Sequence, residues 1–498
     1  MSNTATHPES GAHLMKIDRG DVARFSLFVL IGSLAILHPF FVLGSLAVAA
    51  ASRFCGLAVA HVRRAGLDLW QVLLLVALTG YLLLNYGFEN LAIHVGGFPI
   101  IISYGLMYAS FALAVSQDQH LARTLQEPAM LCVLALIMLA LFHLVVNIPA
   151  YGIWAIRDSS MCLDGIFMLL GLLWAKKNST FFLAKWLMLV FVLNLMYSFT
   201  LPWGEKLWSW SPQSGVFLHV PVLGNYSGSG DVLVYGALFC ICVGGYLVRR
   251  PRWMMIFLAM AQLLGLAITQ VRRMYVGIVV VLIILVLLGE TKKFAKLLIP
   301  LFSGIMVLLL VTSVGGLEIT GRVGPVNIEF FKEHTRSISG AEGTPGSNVL
   351  ERFDWSEEAL RHFRSHPVLG EGFGQPLLSY VDEDRGVAVR MPHNSSMTIL
   401  ARLGAIGFAI WILFHLSLVK RFIYAFRQRR RCDQRMSDFI LWLFLFYVLF
   451  MVGSLAEAPF EFPSAAVPFY FLMGLALGLI RRHLPPKQGE YQLATFQS

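Results

Sequence analysis

The chain has 498 residues, of which 57% are hydrophobic and only 14% are charged, and its formal net charge is +10. A soluble globular protein has about a quarter charged residues, so the composition excludes an ordinary soluble enzyme. The basic excess stands at the ends of apolar runs, so it does not indicate a nucleic-acid partner. The chain is predicted to be an all-α, polytopic protein of the lipid bilayer.

Apolar runs of about twenty residues, separated by short charged connectors, predict about 12–14 membrane-spanning helices. The first run follows a polar tail and has no convincing small-residue cleavage site, so an uncleaved first span is expected. The first two spans are short, and His38-Pro39 between them marks a turn or a kink. The predicted spans are 22–37, 39–60, 69–86, 99–115, 128–146, 161–175, 180–202, 231–248, 252–269, 274–289, 296–313, 395–419, 438–455 and 466–480.

Basic connectors predict the orientation of the bundle, because Lys and Arg beside spans stay in the cytoplasm. The basic connectors are His61–Arg64, Lys176-Lys177, Arg249–Arg252, Lys292-Lys293, Lys420–Arg435 and Arg481-Arg482. They share one side in this count, which makes both termini cytoplasmic. The predicted segments are a cytoplasmic tail (1–21), transmembrane helices with short loops (22–313), a long external loop with short helices (314–394), C-terminal transmembrane helices (395–480) and a cytoplasmic tail (481–498).

The cysteines predict neither a disulfide framework nor a metal site, since five of the six lie in predicted spans and Cys432 lies in a basic connector. No cofactor and no metal are expected. Acidic residues in the long loop, such as Glu371 and Asp382, leave a metal open as an alternative.

A tryptophan-rich connector lies on the predicted external side and reads Trp203-Gly-Glu-Lys-Leu-Trp208-Ser-Trp210. Its rings suit an aromatic belt at the membrane interface. They also suit a platform that stacks against sugar rings. The sequence leaves these two interpretations open.

The long loop carries the polar motifs of the chain. Asp354-Trp-Ser-Glu357 resembles a capping box that opens a helix with an apolar face, and Pro367 ends that helix. The helix is expected to lie along the membrane surface. The next residues, Gly370-Glu-Gly372-Phe-Gly374, form a tight glycine-rich turn.

Three positions suggest catalytic chemistry: His393, Arg352 and the pair Arg272-Arg273, and Arg352 also fits a solvated residue on the loop helix. His393 stands at the outer mouth of a predicted span, where a neutral imidazole can accept a proton, although a lone loop histidine also fits. Arg272-Arg273 lies in a very short external connector, where the positive-inside bias disfavours it. An outward guanidinium fork suits a diphosphate, and the alternative is a pair of snorkelling side chains.

These residues resemble the O-antigen ligase and polymerase family of bacterial envelope glycosyltransferases over about residues 230–480. That family shows a His and a Gly at the junction of loop and span, a His-Pro-x-x-Gly-x-Gly element, an Arg and Trp pair, and a Thr-x-Ser-Arg element between two spans. The matching positions are His393 with Gly404, His366-Pro-Val-Leu-Gly370-Glu-Gly372, Arg352 with Trp355, and Thr269-Gln-Val-Arg272.

The resemblance implies an inverting, metal-independent glycan transferase at the outer face of the bacterial inner membrane. Its donor would be a glycan on undecaprenyl diphosphate, and its acceptor a hydroxyl on a lipid-linked core or on another glycan. His393 would be the catalytic base. The diphosphate-binding residues would be Arg272, Arg273, Arg352 and Arg402. The glycines of the motif, Gly370, Gly372 and Gly404, would have a structural role.

Two positions depart from the family pattern. Val271 replaces the usual serine, and Arg402 stands where an acidic residue is common. An ionisable residue in the outer part of a span is more often functional than decorative. Arg402 is expected either to join the donor site or to pair with Glu457 or Glu461.

Three other functions compete with the ligase. A polymerase would use the same donor, and no motif separates the two. A transporter of lipid-linked sugars would carry ionisable groups near the midplane, for which Arg53, Asp164 and Lys185 are the candidates. A structural scaffold ranks last, because it leaves the external Arg272-Arg273 pair unexplained.

Overall fold

The computed structural model describes residues 66–95, 98–177, 179–214, 220–224, 226–247, 252–313, 319–327, 329, 332, 344–382, 387–429 and 432–484. The chain divides into two compact units, Met1–Leu67 and Asp68–Ser498. Only the last two residues of the first unit are described. The predicted N-terminal tail, the first two predicted spans and Arg53 therefore lie outside the described residues, as does the tail after Leu484.

The described part of the second unit is built almost entirely from helices. Its first half contains α1 (Leu69–Leu84), α2 (Tyr86–Glu89), α3 (Ile102–Gln117), α4 (Leu121–Leu125), α5 (Pro128–Tyr151), α6 (Ile153–Leu163), α7 (Met168–Lys176), α8 (Thr180–Ser198) and α9 (Gly204–Trp210). Its second half contains α10 (Ser229–Phe239), α11 (Gly245–Leu247), α12 (Arg252–Thr269), α13 (Arg272–Leu287), α14 (Thr291–Ser313), α15 (Thr344–Ser365), α16 (Ser395–Gln428), α17 (Gln434–Ser454) and α18 (Pro463–His483).

Short irregular elements join or extend these helices. A 3₁₀ turn at Asp164–Phe167 joins α6 to α7, and a π-helical turn at Cys240–Gly244 joins α10 to α11. Further 3₁₀ turns lie at Leu201–Trp203 and Pro459–Glu461. Three antiparallel pairs of strands complete the described structure: β1 (Ala92–Val95) with β2 (Phe98–Ile101), β3 (Gln213–Ser214) with β4 (Val220–Pro221), and β5 (Val381–Asp382) with β6 (Val387–Ala388).

The remaining twelve predicted spans each coincide with a helix or with a consecutive run of helices, which confirms the all-α polytopic class. Three shorter apolar helices are Leu69–Leu84, Ser229–Gly244 and Trp253–Thr269. Six helices of the described part are long and apolar enough to cross a membrane: Pro128–Tyr151, Ile153–Lys176, Thr180–Ser198, Ser395–Gln428, Gln434–Ser454 and Pro463–His483. The chain is therefore a multi-pass membrane protein.

The C-terminal helix α18 packs inside the bundle against α7. Two glycines allow the backbones to touch: a Cβ on Gly171 would lie 2.0 Å from the Phe471 carbonyl oxygen, and one on Gly474 would lie 1.9 Å from the Met168 carbonyl oxygen. Small residues permit this close approach between membrane helices. The last helix is thereby held against the first half of the chain.

The helix of the long loop differs from its prediction. It begins at Thr344 instead of Asp354, and it ends at Ser365, before Pro367 as predicted. Pro345 explains the earlier start, because proline is favoured in the first helical turn and outweighs the weak capping signal ten residues later. The long loop therefore contains a 22-residue helix where short helices were predicted.

Candidate functional site

Glu457, in the short connector between α17 and α18, links three of the chain's cationic or ionisable side chains. Its Oε1 atom lies 3.2 Å from Arg273 Nη1 and 3.4 Å from Arg352 Nη2. Its Oε2 atom lies 2.9 Å from His393 Nδ1. Arg352 also donates a hydrogen bond to the Ala456 carbonyl. These contacts define the Glu457 cluster.

The cluster is assembled from distant parts of the chain. Arg273 comes from the first turn of α13, Arg352 from the middle of α15, and His393 from the residue pair that precedes α16. These elements meet at the end of the bundle where α13, α16 and α18 begin and α17 ends. Three of the predicted site residues, Arg273, Arg352 and His393, are therefore brought together on one carboxylate.

The two arginines of the predicted outward pair, Arg272 and Arg273, have different surroundings. Arg273 donates to both carboxylate oxygens of Asp231 at 3.2 and 2.7 Å, besides its contact with Glu457. Two carboxylates therefore hold Arg273 in place, which suits a role in positioning Glu457 better than a direct contact with a ligand. The largest charge effects on Arg272 come from Arg352 and Arg322, which are both positive.

The cluster has an excess of positive charge. Four arginines, Arg272, Arg273, Arg322 and Arg352, lie within electrostatic range of one another or of the shared carboxylates Asp231 and Glu457. The four arginines and the two carboxylates give this group a formal charge of +2. Like charges repel at such distances, so the arrangement favours binding of an anion.

The packing around Val271 explains why this position departs from the family pattern. Its side chain is buried against Gly230 of α10, where an added Cβ would lie 2.5 Å from Val271 Cγ2. An apolar side chain fits this contact better than a serine hydroxyl, which would need a hydrogen-bond partner when buried. The substitution therefore tightens the packing between α10 and the turn that carries Arg272.

His393 is held in an unusual backbone conformation. Its φ angle is +48°, which is uncommon for a residue other than glycine. The next residue, Asn394, caps α16 by accepting hydrogen bonds from Ser396 N at 3.0 Å and Met397 N at 3.3 Å. The ring centroid of Trp355 lies 5.3 Å from that of His393. The cap and the Trp355 ring together orient the imidazole toward Glu457.

The charge state of Glu457 follows from its partners. Burial alone would raise the pKa of this carboxyl, but the hydrogen bond with His393 and the charges of Arg273 and Arg352 outweigh it and lower the pKa to about 2. The carboxylate therefore stays ionised at neutral pH. As an acceptor it fixes the proton of His393 on Nδ1, which leaves Nε2 as the basic nitrogen.

The glycine-rich loop after α15 enters a break in helix α16. Gly404 interrupts the helix with φ +62° and ψ −164°, a conformation that strongly favours glycine. The N–H groups of Glu371 and Gly372 donate to the carbonyls of Ala401 and Arg402, both at 2.9 Å. The loop thus satisfies carbonyl groups that the break leaves open.

Hydrogen bonds on the far side of the break complete the junction. Ala405 N donates to the Pro367 carbonyl at 2.9 Å, and Ile406 N to the Val368 carbonyl at 3.2 Å. Gly370 has φ +76°, and an added Cβ would lie 2.4 Å from the backbone of Arg402. The junction anchors both the loop and the start of α16, which carries His393.

Gly372 adds a contact with α5. It has φ +84°, and an added Cβ would lie 2.5 Å from Asn147 Oδ1 and 2.9 Å from His143 Nδ1. The motif glycines therefore allow close backbone packing on two helices.

Arg402 does not join the Glu457 cluster. Its side chain is fully buried, and its Nη2 atom lies 3.0 Å from Asp158 Oδ2. Its Nη1 atom donates to the Gly372 and Gln375 carbonyls. The predicted diphosphate contact of Arg402 has no support in this geometry, because no part of its side chain is exposed. Its partner is Asp158, and not Glu457 or Glu461.

Asp158 also forms ion pairs with Arg157 and Arg390. Arg390 Nη2 lies 3.0 Å from the same Asp158 oxygen, and Arg157 contacts the other oxygen at 3.0 Å. Arg390 also stands over the Trp154 ring, 4.3 Å from its centroid. This buried network attaches Gly374 and Arg390 to α6.

Other predicted candidates lie elsewhere. Asp164 is buried at the 3₁₀ turn within the bundle, where Tyr104 Oη lies 3.4 Å from its Oδ2 atom. Lys185 stands over the Phe181 ring. Trp203, Trp208 and Trp210 are each about half exposed, so both interpretations of that connector stay open. Within the described residues, no group of three or more His, Cys, Asp or Glu side chains could hold a metal ion.

Sequence reasoning missed the roles of Glu457, Asp231 and Arg322. Glu457 was considered only as a partner for Arg402, and Asp231 and Arg322 were not considered at all. One available signal was the presence of two acidic residues, Glu457 and Glu461, in the short connector between the last two predicted spans. No local pattern indicates which cation each carboxylate faces.

Comparison with known families supports the resemblance. Residues 255–412 match the model of the O-antigen ligase family. This range contains Arg272, Arg322, Arg352, His393 and the glycine junction, and it is narrower than the predicted range 230–480. No curated protein matches the chain. Glu457 and Asp231 lie outside the matched range.

Proposed function

We propose that the chain is a membrane enzyme of polysaccharide biosynthesis that transfers a glycan from undecaprenyl diphosphate to a hydroxyl acceptor, because residues 255–412 match the O-antigen ligase family. The acceptor is a hydroxyl on a lipid-linked core or on another glycan. One observation carries the proposal: cations and an imidazole from α13, α15 and α16 converge on Glu457 with an excess of positive charge.

The charge excess suits the donor. A diphosphate diester carries one negative charge on each phosphate, which balances the formal charge of +2 on the four arginines and two carboxylates of the cluster. Arg272 and Arg352 grip the diphosphate, and each charge-assisted contact contributes roughly 1.5–3 kcal/mol. Arg273 and Arg402 are left out of this donor-binding set, because their carboxylate-bound side chains are only 19% and 0% exposed, whereas the Arg352 side chain is 38% exposed.

His393 serves as the general base. Its Nδ1–H donates to Glu457, so Nε2 takes the proton of the acceptor hydroxyl. The hydroxyl oxygen attacks the anomeric carbon of the donor sugar from the face opposite the diphosphate. The glycosidic oxygen–carbon bond forms as the bond between carbon and diphosphate oxygen breaks, with inversion at that carbon.

The leaving group is undecaprenyl diphosphate, whose added negative charge is stabilised by Arg272 and Arg352. The proton held on His393 Nε2 then passes to solvent, because the imidazole ring is partly exposed. Glu457 stays ionised throughout and stabilises the imidazolium. No redox or metal step is needed to balance this reaction.

The outer face of the inner membrane is the proposed location of the site. The Lys293–Asp438 and Arg429–Glu290 pairs lie at the opposite end of the bundle from Arg272, within or beside the basic connectors. Lys and Arg that flank spans remain in the cytoplasm. The Glu457 cluster then faces the periplasm, where the lipid-linked donor is presented.

Transfer by purified protein in lipid nanodiscs tests the proposal. The donor is a defined glycan on undecaprenyl diphosphate, offered with a lipid-linked core or with a second glycan as acceptor. The wild-type chain is expected to join the glycan to one acceptor, and the two acceptor arms distinguish ligase from polymerase. His393→Ala and Arg272→Ala are expected to lose at least about 100-fold in rate, because each removes a transition-state contact.

Two matched variants control for nonspecific damage. His120→Ala and Arg427→Ala remove an exposed histidine and an exposed arginine far from the cluster, and both are expected to transfer at the wild-type rate. Normal transfer by His393→Ala would remove that residue from the mechanism. A wild-type chain that transfers from no lipid diphosphate donor would overturn the proposal itself.

A further inference from the structure

The loop segment 319–327 folds back onto the turn between α12 and α13. Arg322 N donates to the Ile268 carbonyl at 3.0 Å, and a bridge pairs Thr320 with Pro325. The segment is a closed turn of its own, since Gly321 N donates to the Gly324 carbonyl at 2.9 Å. It therefore sits beside the residues that immediately precede Arg272.

Gln270 fastens this segment to the helical turn. Its side-chain Oε1 accepts hydrogen bonds from Val323 N at 2.7 Å and Gly324 N at 3.2 Å, and its Nε2 donates to the Gly324 carbonyl at 2.9 Å. Its φ angle is +55°, and the residue is 2% exposed. A strained and buried residue persists where surrounding contacts hold it, and here three hydrogen bonds of one amide do so.

The attachment of segment 319–327 by Gln270 places Arg322 near the Glu457 cluster. Its Nε atom donates to the Thr269 carbonyl at 3.1 Å, and its side chain reaches solvent. A cation at the carboxyl end of α12 interacts favourably with the helix dipole, so a purely structural role is the alternative for Arg322. However, the charge of Arg322 acts on Arg272, Arg273 and Glu457 as well, so the guanidinium belongs to the same electrostatic group.

We infer that Arg322 is a third diphosphate-binding residue and that Gln270 positions it. The inference rests on the proposed function, because it assigns the anion to the lipid diphosphate donor. Nε holds the Thr269 carbonyl, which leaves the two terminal nitrogens of the guanidinium for a phosphate oxygen. Segment 319–327 thereby becomes part of the donor site, although it is separated from Arg352 by a long stretch of chain.

The test measures donor affinity apart from catalysis. Arg322→Gln keeps a hydrogen-bond donor for the Thr269 carbonyl but removes the charge, and Arg322→Ala removes both. Each is assayed in nanodiscs for the donor KM, the acceptor KM, kcat and the inhibition constant of unglycosylated undecaprenyl diphosphate. Both variants are expected to raise the donor KM and the inhibition constant about 10-fold or more and to leave the acceptor KM unchanged.

Two further variants sharpen the test. Gln270→Ala is expected to raise the same inhibition constant by a smaller factor, because it releases the segment without removing the guanidinium. Arg364→Gln removes an exposed arginine from the last turn of α15 and is expected to change neither constant. A structural cap alone would lower the thermal stability of Arg322→Ala without changing the inhibition constant of Arg322→Gln.

An unchanged donor KM and inhibition constant in Arg322→Gln would overturn the inference, and so would an equal change in Arg364→Gln. If Arg272→Ala then still abolished transfer, the proposed function would stand without Arg322. If the wild-type chain neither transferred a glycan nor responded to undecaprenyl diphosphate, the proposed function would fail first. The two failures are therefore distinguishable.

Discussion

The Nδ1 atom of His393 lies 2.9 Å from the Oε2 atom of Glu457, a residue 64 positions later in the chain. The other oxygen of the same carboxylate faces Arg273 and Arg352. One side chain thus orients the proposed base and holds two guanidinium groups beside it. Its replacement affects both functions at once.

Glu457→Gln is predicted to slow transfer by about 10-fold to 1,000-fold, because the amide cannot fix the His393 proton and cannot stabilise an imidazolium. The rate constant kcat should fall more than the donor KM rises, since the variant keeps Arg272 and Arg352, the proposed diphosphate ligands. Steady-state kinetics in nanodiscs provide the measurement. Glu205→Gln, on the tryptophan-rich helix α9, is the matched control. Equal kcat in wild type and Glu457→Gln would exclude Glu457 from the mechanism.

The stability contributed by Glu457 is predicted to depend on acidity. Its pKa falls from the ordinary value of 4.5 to about 2 in the folded chain. A depressed carboxyl pKa stabilises the fold above the ordinary pKa, and this contribution is lost as the pH falls toward the folded value. The difference in melting temperature between wild type and Glu457→Gln should therefore be largest at neutral pH and shrink from about pH 4.5 to about pH 2. A constant difference over that window would contradict the assigned ion pairs.

The buried pair of Arg402 and Asp158 is predicted to support the fold instead of the reaction. Removing one partner of a buried ion pair costs about 3–5 kcal/mol, because the other charge is left uncompensated. Asp158→Asn should destabilise more than Arg402→Met, since Asp158 also pairs with Arg157 and Arg390. Melting temperature in detergent reports the order, with Arg427→Met as control. A stable Arg402→Met that binds undecaprenyl diphosphate more weakly would restore Arg402 to the donor site.

Gly404→Ala is predicted to destabilise the junction between the loop and α16. Its φ of +62° with ψ of −164° costs a residue with a side chain about 1–3 kcal/mol. In addition, the new Cβ would lie 2.4 Å from the Val368 carbonyl oxygen. Gly105→Ala is the matched control, because its Cβ would meet no atom within 4 Å. Comparable melting temperatures for the two variants would show that the break in α16 is not required.

The spans could be predicted from sequence because the bilayer imposes a local rule. A helix of about twenty apolar residues satisfies its own backbone hydrogen bonds inside the hydrocarbon, so the signal is contained within each segment. The start of α15 was misplaced because a capping pattern at Asp354 and a proline at Pro345 are both weak local signals. Helix ends depend on such signals, and neighbouring contacts decide between them.

The candidate site also has a part that local sequence indicates and a part that depends on contacts between distant residues. Residue type and position indicated His393, Arg272 and Arg352 as candidates, since an imidazole at a span mouth and guanidinium groups on the external side are chemically unusual by themselves. Arg402 was equally unusual, but the structure places it in a buried ion pair away from the Glu457 cluster. Its partner Asp158 lies 244 positions away in the chain, and no local pattern predicts that pairing.

The sequence by itself determined the all-α bundle, the order of its spans and the types of side chain available for chemistry, because hydrophobic length and charge act within short segments. Only the tertiary structure decided that Glu457 joins His393 to Arg352, that Arg402 is buried with Asp158, and that Gln270 brings Arg322 beside Arg272. Electrostatic contacts require atoms a few ångströms apart in space, and their separation along the chain does not limit them.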